Sequence, residues 1–249
     1  VAAVSDLLID IRLKRFPAVG QAPAVTAIKD LRFAVRAGEF VCLLGPSGCG
    51  KTTSLNIIAG LDRDFDGMIA LPRGAGRPRP VIGYVFQAPR LLPWRTVEEN
   101  IALVLDPAQA RSGIVDELLK ATGLTESRHV YPERLSVGMA RRVALARAFA
   151  VAPDLLLMDE PFVSLDEPTA DRLRALLLEI WQARPTTVLF VTHDTREAAR
   201  LADRVVALSA SPGSVQSIIA IDTPRRDRTK PDIIDQIRQQ IVQPAPASA

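Results

Sequence analysis

The segment that most constrains this chain is Phe40-Val41-Cys42-Leu43-Leu44, followed without a break by Gly45-Pro46-Ser47-Gly48-Cys49-Gly50-Lys51-Thr52. A short, wholly apolar run reads as a strand buried on both faces, the kind found in parallel sheets covered by helices. The residues after it have the G-x-x-x-x-G-K-T spacing of a Walker A loop, and a helical pattern from Thr52 to Ala59 follows. Strand, glycine loop and helix in this order turn successive backbone N–H groups toward one point. The positive end of the helix is aimed at the same point, which makes an anion cradle. Lys51 is placed to neutralise the β- and γ-phosphates of a nucleotide, and the Thr52 hydroxyl to meet a magnesium ion. The expected contacts are Gly45, Pro46, Ser47, Gly48, Cys49, Gly50, Lys51, Thr52 and Thr53. Because Cys49 lies inside the loop, alkylation of its thiol is expected to block it. A glycine-rich turn without a ligand would need neither the lysine nor this spacing.

A second apolar run, Leu155 to Met158, delivers Asp159 and Glu160 to its end, where ligands bind in open α/β sheets. Asp159 would hold the metal and Glu160 would act as general base on the attacking water. A third run, Val188 to Val191, ends at His193. Leu7 to Phe16 and the set Leu31, Phe33 and Val35 alternate with the period of half-buried strands, with a loop from Pro17 to Pro23 between them. Val81 to Phe86 reads as a strand, and Val205 to Ile221 as two strands around a turn. Pro168 to Ala183 reads as a helix, with Ala170, Leu173, Leu176, Leu177, Ile180 and Trp181 forming one apolar stripe.

The stretch from Arg90 to Tyr131 has short helical patterns, such as Ile114 to Ala121 closed by Gly123, and reads as a helical insertion. Arg73 to Pro80 reads as an exposed turn, Pro231 to Val242 as a short amphipathic helix through Ile233, Ile234, Ile237 and Ile241, and Pro244 to Ala249 as a fraying end.

Composition then removes whole classes of function. A net charge of +3 is too small for a nucleic-acid-binding field. No window approaches the roughly 20 apolar residues of a membrane-spanning helix. Val1 to Asp10 lacks the features of a secretory signal, and two cysteines, Cys42 and Cys49, make neither a disulfide scaffold nor a zinc site, so a reducing cytosol is expected. At 249 residues, one α/β core with an inserted subdomain is favoured over two separate domains.

Leu135-Ser136-Val137-Gly138-Met139, followed by the basic helix Arg141 to Arg147, lies after the phosphate loop and shortly before Asp159. With it the chain resembles the ATP-binding cassette (ABC) family over nearly its whole length. The resemblance implies an α/β P-loop NTPase core with a mostly parallel sheet, an N-terminal antiparallel β subdomain and an inserted helical subdomain. The boundaries it implies are 1–89 with 151–222 for β subdomain and core, 90–150 for the helical subdomain, and 223–249 for a C-terminal extension. Ser136 and Gly138 would cap the γ-phosphate of ATP held by the opposite subunit.

Gln87 resembles the glutamine that touches magnesium and the attacking water. Ser164-Leu165-Asp166 resembles the loop that crosses to the partner, with Asp166 at the nucleotide, and His193 resembles the histidine that contacts the γ-phosphate. Phe16 stands near the place of the aromatic that stacks on adenine, with core packing as the alternative. His129 has no such context and reads as a loop residue. The family usually has Gly at the position of Val137 and often Gln at that of Met139. Valine cannot readily take backbone angles open only to glycine, so weakened capping is the expectation there.

The resemblance further implies ATP and Mg2+, a second ATPase subunit, with a homodimer favoured and an unlike pair left open, integral-membrane permease subunits, and indirectly a periplasmic solute-binding protein. Leu91-Leu92-Pro93-Trp94 and the Gly138-Met139 pair look like bacterial importers of nitrate, sulfonate and taurine type, working at the cytoplasmic face of the inner membrane. A soluble cassette ATPase acting on nucleic acid or ribosomes is the competing class. It would predict tandem cassettes, a coiled-coil insertion, zinc-ligand cysteines or a basic patch, and the sequence carries none of these. A regulatory subunit that hydrolyses weakly is a third reading, suggested by Val137 and opposed by Lys51, Asp159, Glu160 and His193 all being present.

Overall fold

A computed structural model describes residues 6–72 and 79–243. The chain divides into two compact units, one of Val1–Ala75 with Thr187–Ala249 and the other of Gly76–Thr186.

The first unit opens with β1 (Leu7–Phe16), β2 (Val25–Val35), β3 (Phe40–Leu44), helix α1 (Lys51–Ile58) and β4 (Asp66–Ala70). Strands β2, β1 and β4 form an antiparallel sheet in that order, with Leu7 opposite Val35 and Ile9 opposite Ile69. Its alternation is the one the sequence predicts, since Leu7, Ile9, Ile11, Leu31, Phe33 and Val35 are buried on one face. Gly67 is demanded by contact as well as by its φ of 143°, because a Cβ there would stand 2.0 Å from the Asp10 carbonyl oxygen.

The second unit carries β5 (Ile82–Val85), α2 (Val97–Ala102), α3 (Pro107–Ala110), α4 (Ile114–Ala121), α5 (Val137–Ala150), β6 (Leu155–Asp159) and α6 (Glu167–Ala183). Four of these five helices begin at a side-chain cap. Thr96 and Glu99 make a capping box on α2, Asp106 and Gln109 make another on α3, and Ser136 and Asp166 cap α5 and α6. Strands β5 and β6 pair in parallel, Ile82 with Leu155 and Val85 with Met158. Helix α5 lies so close to β5 that a Cβ on Gly83 would come within 2.5 Å of the Ala148 carbonyl oxygen.

The chain then returns to the first unit with β7 (Thr187–Thr192), α7 (Thr195–Leu201), β8 (Arg204–Leu208), β9 (Val215–Ala220) and α8 (Pro231–Val242). Here β3 sits between β7 and β8, parallel to both, and β9 closes the edge antiparallel to β8. Every residue of β3 and β7 is buried, which is why both read as unbroken apolar runs. The α/β class with a mostly parallel sheet and a separate antiparallel sheet is therefore as expected.

Small differences have physical reasons. Helix α1 starts at Lys51 because Gly50, at φ 88°, ends the loop in the left-handed region. In α8 the buried stripe is Ile234, Ile237 and Ile241, with Ile233 at its margin. Both cysteines are free and buried. Most of the turn expected over Arg73 to Pro80, the fraying end Pro244 to Ala249 and the first residues of Val1 to Asp10 lie outside the described residues.

Candidate functional site

In the first unit the register of the parallel strands sets the site. Leu44 of β3 pairs with Thr192 of β7 and with Ala207 of β8, so Gly45 and His193 leave neighbouring strands at one level. The loop is glycine-dependent at two kinds of position. Gly48 and Gly50 have φ of 81° and 88°, and a Cβ on Gly50 would lie 2.9 Å from the Ala27 carbonyl oxygen. Gly45 is tight for another reason, since a Cβ there would meet the Cys49 Sγ at 2.8 Å and the Leu208 Cβ at 3.1 Å.

Pro46, Ser47 and Gly48 form the exposed crest, Thr52 is exposed beside them, and Thr53 is half-buried. Lys51 is buried, and its Nζ donates to the carbonyl oxygens of Gly45 and Pro46 at 2.8 Å each. The ammonium thus holds the curve of the loop from within. Cys49 is only 1% exposed, with its sulfur under Gly45, and burial raises the thiol's pKa against the opposing pull of Lys51. Ready alkylation, expected from its place in the loop, conflicts with this shielded position.

Phe16 ends β1 as a residue 42% exposed, so it is not a core residue. The Lys14 ammonium covers one ring face at 4.8 Å and is itself buried against Asp62 and Asp64. His193 lies in an exposed bend between β7 and α7.

In the second unit the pairing of Val85 with Met158 brings Gln87 and the Asp159-Glu160 pair off adjacent strands at one level. Asp159 is buried at the strand end and Gln87 is exposed. Burial raises the Tyr84 phenol well above its usual range, and the charge of Asp159 adds to the shift. Glu160 has φ 43°, a left-handed conformation uncommon for a non-glycine residue, and such strain gathers at working positions.

Ser136 is exposed and caps α5 by accepting the Met139 N–H at 3.2 Å. Val137, the first residue of α5, has no left-handed backbone, so the expectation that glycine-only angles are needed there is corrected. The tightly packed position is Gly138, where a Cβ would stand 2.7 Å from the Thr169 Cγ2 and the threonine side chain would have to shift. Beside them a cavity of about 560 Å³ is lined by Ser136, Gly138, Arg142, Thr169 and Arg172. Burial, with the charge of Arg172, lowers the Arg142 pKa, so two guanidinium groups share one hollow. Ser164 has φ 63°, and Asp166 caps α6 through the Thr169 N–H at 3.1 Å.

Three residues that sequence reasoning passed over hold the loop following Gln87. Arg141, 5% exposed, donates to the carbonyl of Gln87 and, at 3.2 Å, to that of Val163, while its Nε has no partner among the described residues. Burial without a carboxylate partner lowers its pKa. Arg147 donates to the carbonyls of Pro89 at 2.8 Å and Arg90 at 3.0 Å. Asn100 is fully buried. It accepts the Leu92 N–H at 2.8 Å and donates to the carbonyls of Leu92, Arg95 and Thr96. Polar residues on the buried faces of α2 and α5 were the available signal. Beyond this loop an apolar groove of about 350 Å³ is lined by Tyr84, Phe86, Arg90, Leu103, Val104 and Arg147, and the Trp94 side chain is 68% exposed.

Among the described residues no group of three or more His, Cys, Asp and Glu could hold a metal. A family model described as ABC transporter matches residues 28–163. The chain is 42% identical to the aliphatic sulfonates import ATP-binding protein SsuB of Bacillus licheniformis, over 87% of this chain and 86% of that protein. It is 44% identical to an uncharacterized ABC transporter ATP-binding protein, MJ0412, of Methanocaldococcus jannaschii, over 85% of this chain and 81% of that one. Among solved structures it resembles the dimeric post-hydrolysis state of the ATP-binding cassette MJ0796 bound to ADP and Pi. The TM-score is 0.72 at 30% identity, covering 88% of this chain and 100% of that one.

Proposed function

Because this chain belongs to the ABC transporter family, we propose that it is the ATP-hydrolysing subunit of a bacterial importer of nitrate, sulfonate or taurine type. The observation that carries the reading is the loop Gly45–Lys51 between β3 and α1, with its buried lysine and its left-handed Gly48 and Gly50. The import ATP-binding relatives support the direction of transport and the substrate class.

The loop N–H groups and Lys51 bind the phosphates, and the exposed face of Phe16 receives the adenine. Glu160 takes the proton of the attacking water, Gln87 orients that water, and His193 contacts the γ-phosphate as it departs. Thr52, Gln87 and Asp159 offer only oxygen donors, a set suited to a hard ion such as Mg2+, and no thiol or imidazole stands among them. When bound with the nucleotide, that ion neutralises phosphate charge. Ser136, Gly138 and Asp166 lie on a second copy of the chain and close over the nucleotide from there. ATP thus joins two copies, and its hydrolysis removes the bridging phosphate and releases them.

No helix among the described residues is long and apolar enough to cross a membrane. The reading therefore assigns the crossing to separate permease subunits, gripped at the cytoplasmic face by the groove beside Phe86 and by Trp94. A periplasmic solute-binding protein delivers the substrate. The test is ATP hydrolysis by the chain co-purified with its permease, with and without binding protein and a panel of alkanesulfonates, taurine and nitrate. Stimulation by one of these anions is the expected result. Hydrolysis indifferent to the permease and to every anion would remove the transport reading.

A further inference from the structure

The C-terminal segment has no part in the chemistry described so far, yet it takes hold of both ends of the helix that follows His193. At the start of α7, Thr195 lies two positions beyond His193, and its Oγ1 accepts from the Arg238 Nε of α8 at 3.0 Å. At the far end, Arg225 donates to the Leu201 carbonyl at 3.1 Å, and Arg228 donates to the carbonyls of Ala199 and Ala202. Arg228 is 4% exposed and also donates to the carbonyls of Ile221 and Thr223, so it knots the segment to itself as well as to α7.

Between these ends α8 packs on α7, with Ile234, Ile237 and Ile241 buried. From the core side, Thr192 Oγ1 donates to the buried carboxylate of Glu197 at 2.6 Å and accepts the Asp194 N–H at 3.0 Å. The histidine bend is therefore exposed at its own residue and held at the residues before and after it. A helix of seven residues has little stability of its own. The fastening supplies what length does not.

We propose that the segment 223–243 is a brace that holds α7, and through it the bend of His193, in working position, with Arg238 as its positioning residue. This rests on the assignment of His193 to the γ-phosphate. A group held loosely after the brace is cut still binds or releases nucleotide as before, but it spends less time in register with the reacting phosphate. The loss then falls on turnover rather than on nucleotide affinity.

The experiment compares Arg238→Met, Thr195→Val and the double variant with the parent in the full chain, at saturating and subsaturating ATP. Arg238→Lys serves as the conservative variant. Turnover should fall about 3- to 10-fold with the KM for ATP within about twofold. The double variant should be no worse than the worse single one, and Arg238→Lys should recover part of the loss. Amide hydrogen exchange at 193–201 should quicken in Arg238→Met while β3 stays protected, a readout that does not depend on what His193 does. Unchanged exchange in α7 overturns the brace. So does unchanged turnover in Arg238→Met when His193→Ala is inactive. Normal turnover in His193→Ala would instead sink the role given to the histidine, and the exchange measurement would still decide whether α8 holds α7.

Discussion

The two units bring their site residues into place by opposite means. In the unit of the phosphate loop, the groups that would meet the nucleotide are mostly main-chain N–H groups. Their curve is set locally, by left-handed Gly48 and Gly50 and by Lys51 holding the carbonyls of Gly45 and Pro46. In the unit of α5, the loops that carry Gln87 and Leu91 to Trp94 have no such local rule. They are suspended from side chains on helices, Arg141 and Arg147 of α5, 54 and 58 residues beyond the carbonyls they hold, and Asn100 of α2, eight residues beyond Leu92. Backbone-built sites fail when a glycine is filled. Side-chain-hung loops fail when one donor is removed.

The widest separation between the units is in what their main residues do. Glu160→Gln should leave ATP binding intact and slow hydrolysis by about 10²- to 10⁴-fold, the usual range for a lost general base. It should also trap the ATP-bound pair of subunits, visible as a larger species by size-exclusion chromatography. Lys51→Ala should lose ATP binding itself, measured by equilibrium titration. Unchanged turnover in the first variant, or normal affinity in the second, breaks the role given to that residue.

Filling glycines tests the backbone-built half. Gly50→Ala combines a left-handed residue, at about 1–3 kcal/mol, with a Cβ 2.9 Å from the Ala27 carbonyl oxygen. Gly48→Ala has open space around its Cβ and bears only that same conformational cost, about 1–3 kcal/mol. Thermal unfolding should rank Gly50→Ala clearly below Gly48→Ala. Equal destabilisation would mean that the loop yields as freely as the side-chain-hung one.

How much of this was legible follows the same division. The phosphate loop, β3, β6, β7 and the extents of α4 and α8 can be read from sequence because each rests on local rules: a run of apolar residues, a fixed motif spacing, a cap. The placing of Gln87 beside the Asp159-Glu160 pair needed the parallel register of β5 and β6, which no local pattern reveals. Arg141 and Arg147 read as two more charges in a basic helix, because donation to distant carbonyls leaves no periodic trace. The concern over Val137 arose from a motif comparison made without the helix boundary. Once Ser136 is the cap, the next residue is ordinary helix, and the close packing falls at Gly138.

Removing one of the suspending donors should cost less than filling the loop. Arg141→Met would leave the carbonyls of Gln87 and Val163 without that donor, and the expected result is a fall in turnover of about 10-fold with ATP affinity little changed. Faster amide exchange confined to residues 86–92 would confirm that the loop, and not the whole unit, has loosened. Loss of cooperative unfolding would instead make Arg141 a general core residue and blur the contrast.

The smallest effect should come from the most conspicuous departure in the sequence. Val137→Gly removes a side chain that is 57% exposed, so little packing is lost, and it places glycine at the first position of α5, where helix propensity matters least. The cap from Ser136 to Met139 and the room that Gly138 leaves for Thr169 are both untouched. Turnover and dimer closure should stay within about twofold of the parent, since surface changes away from such features shift energies by about 0.5 kcal/mol or less. A marked gain in either would mean that the valine side chain obstructs the partner's nucleotide. The second unit would then limit the site by bulk at its capping helix, and not by how its loops are hung.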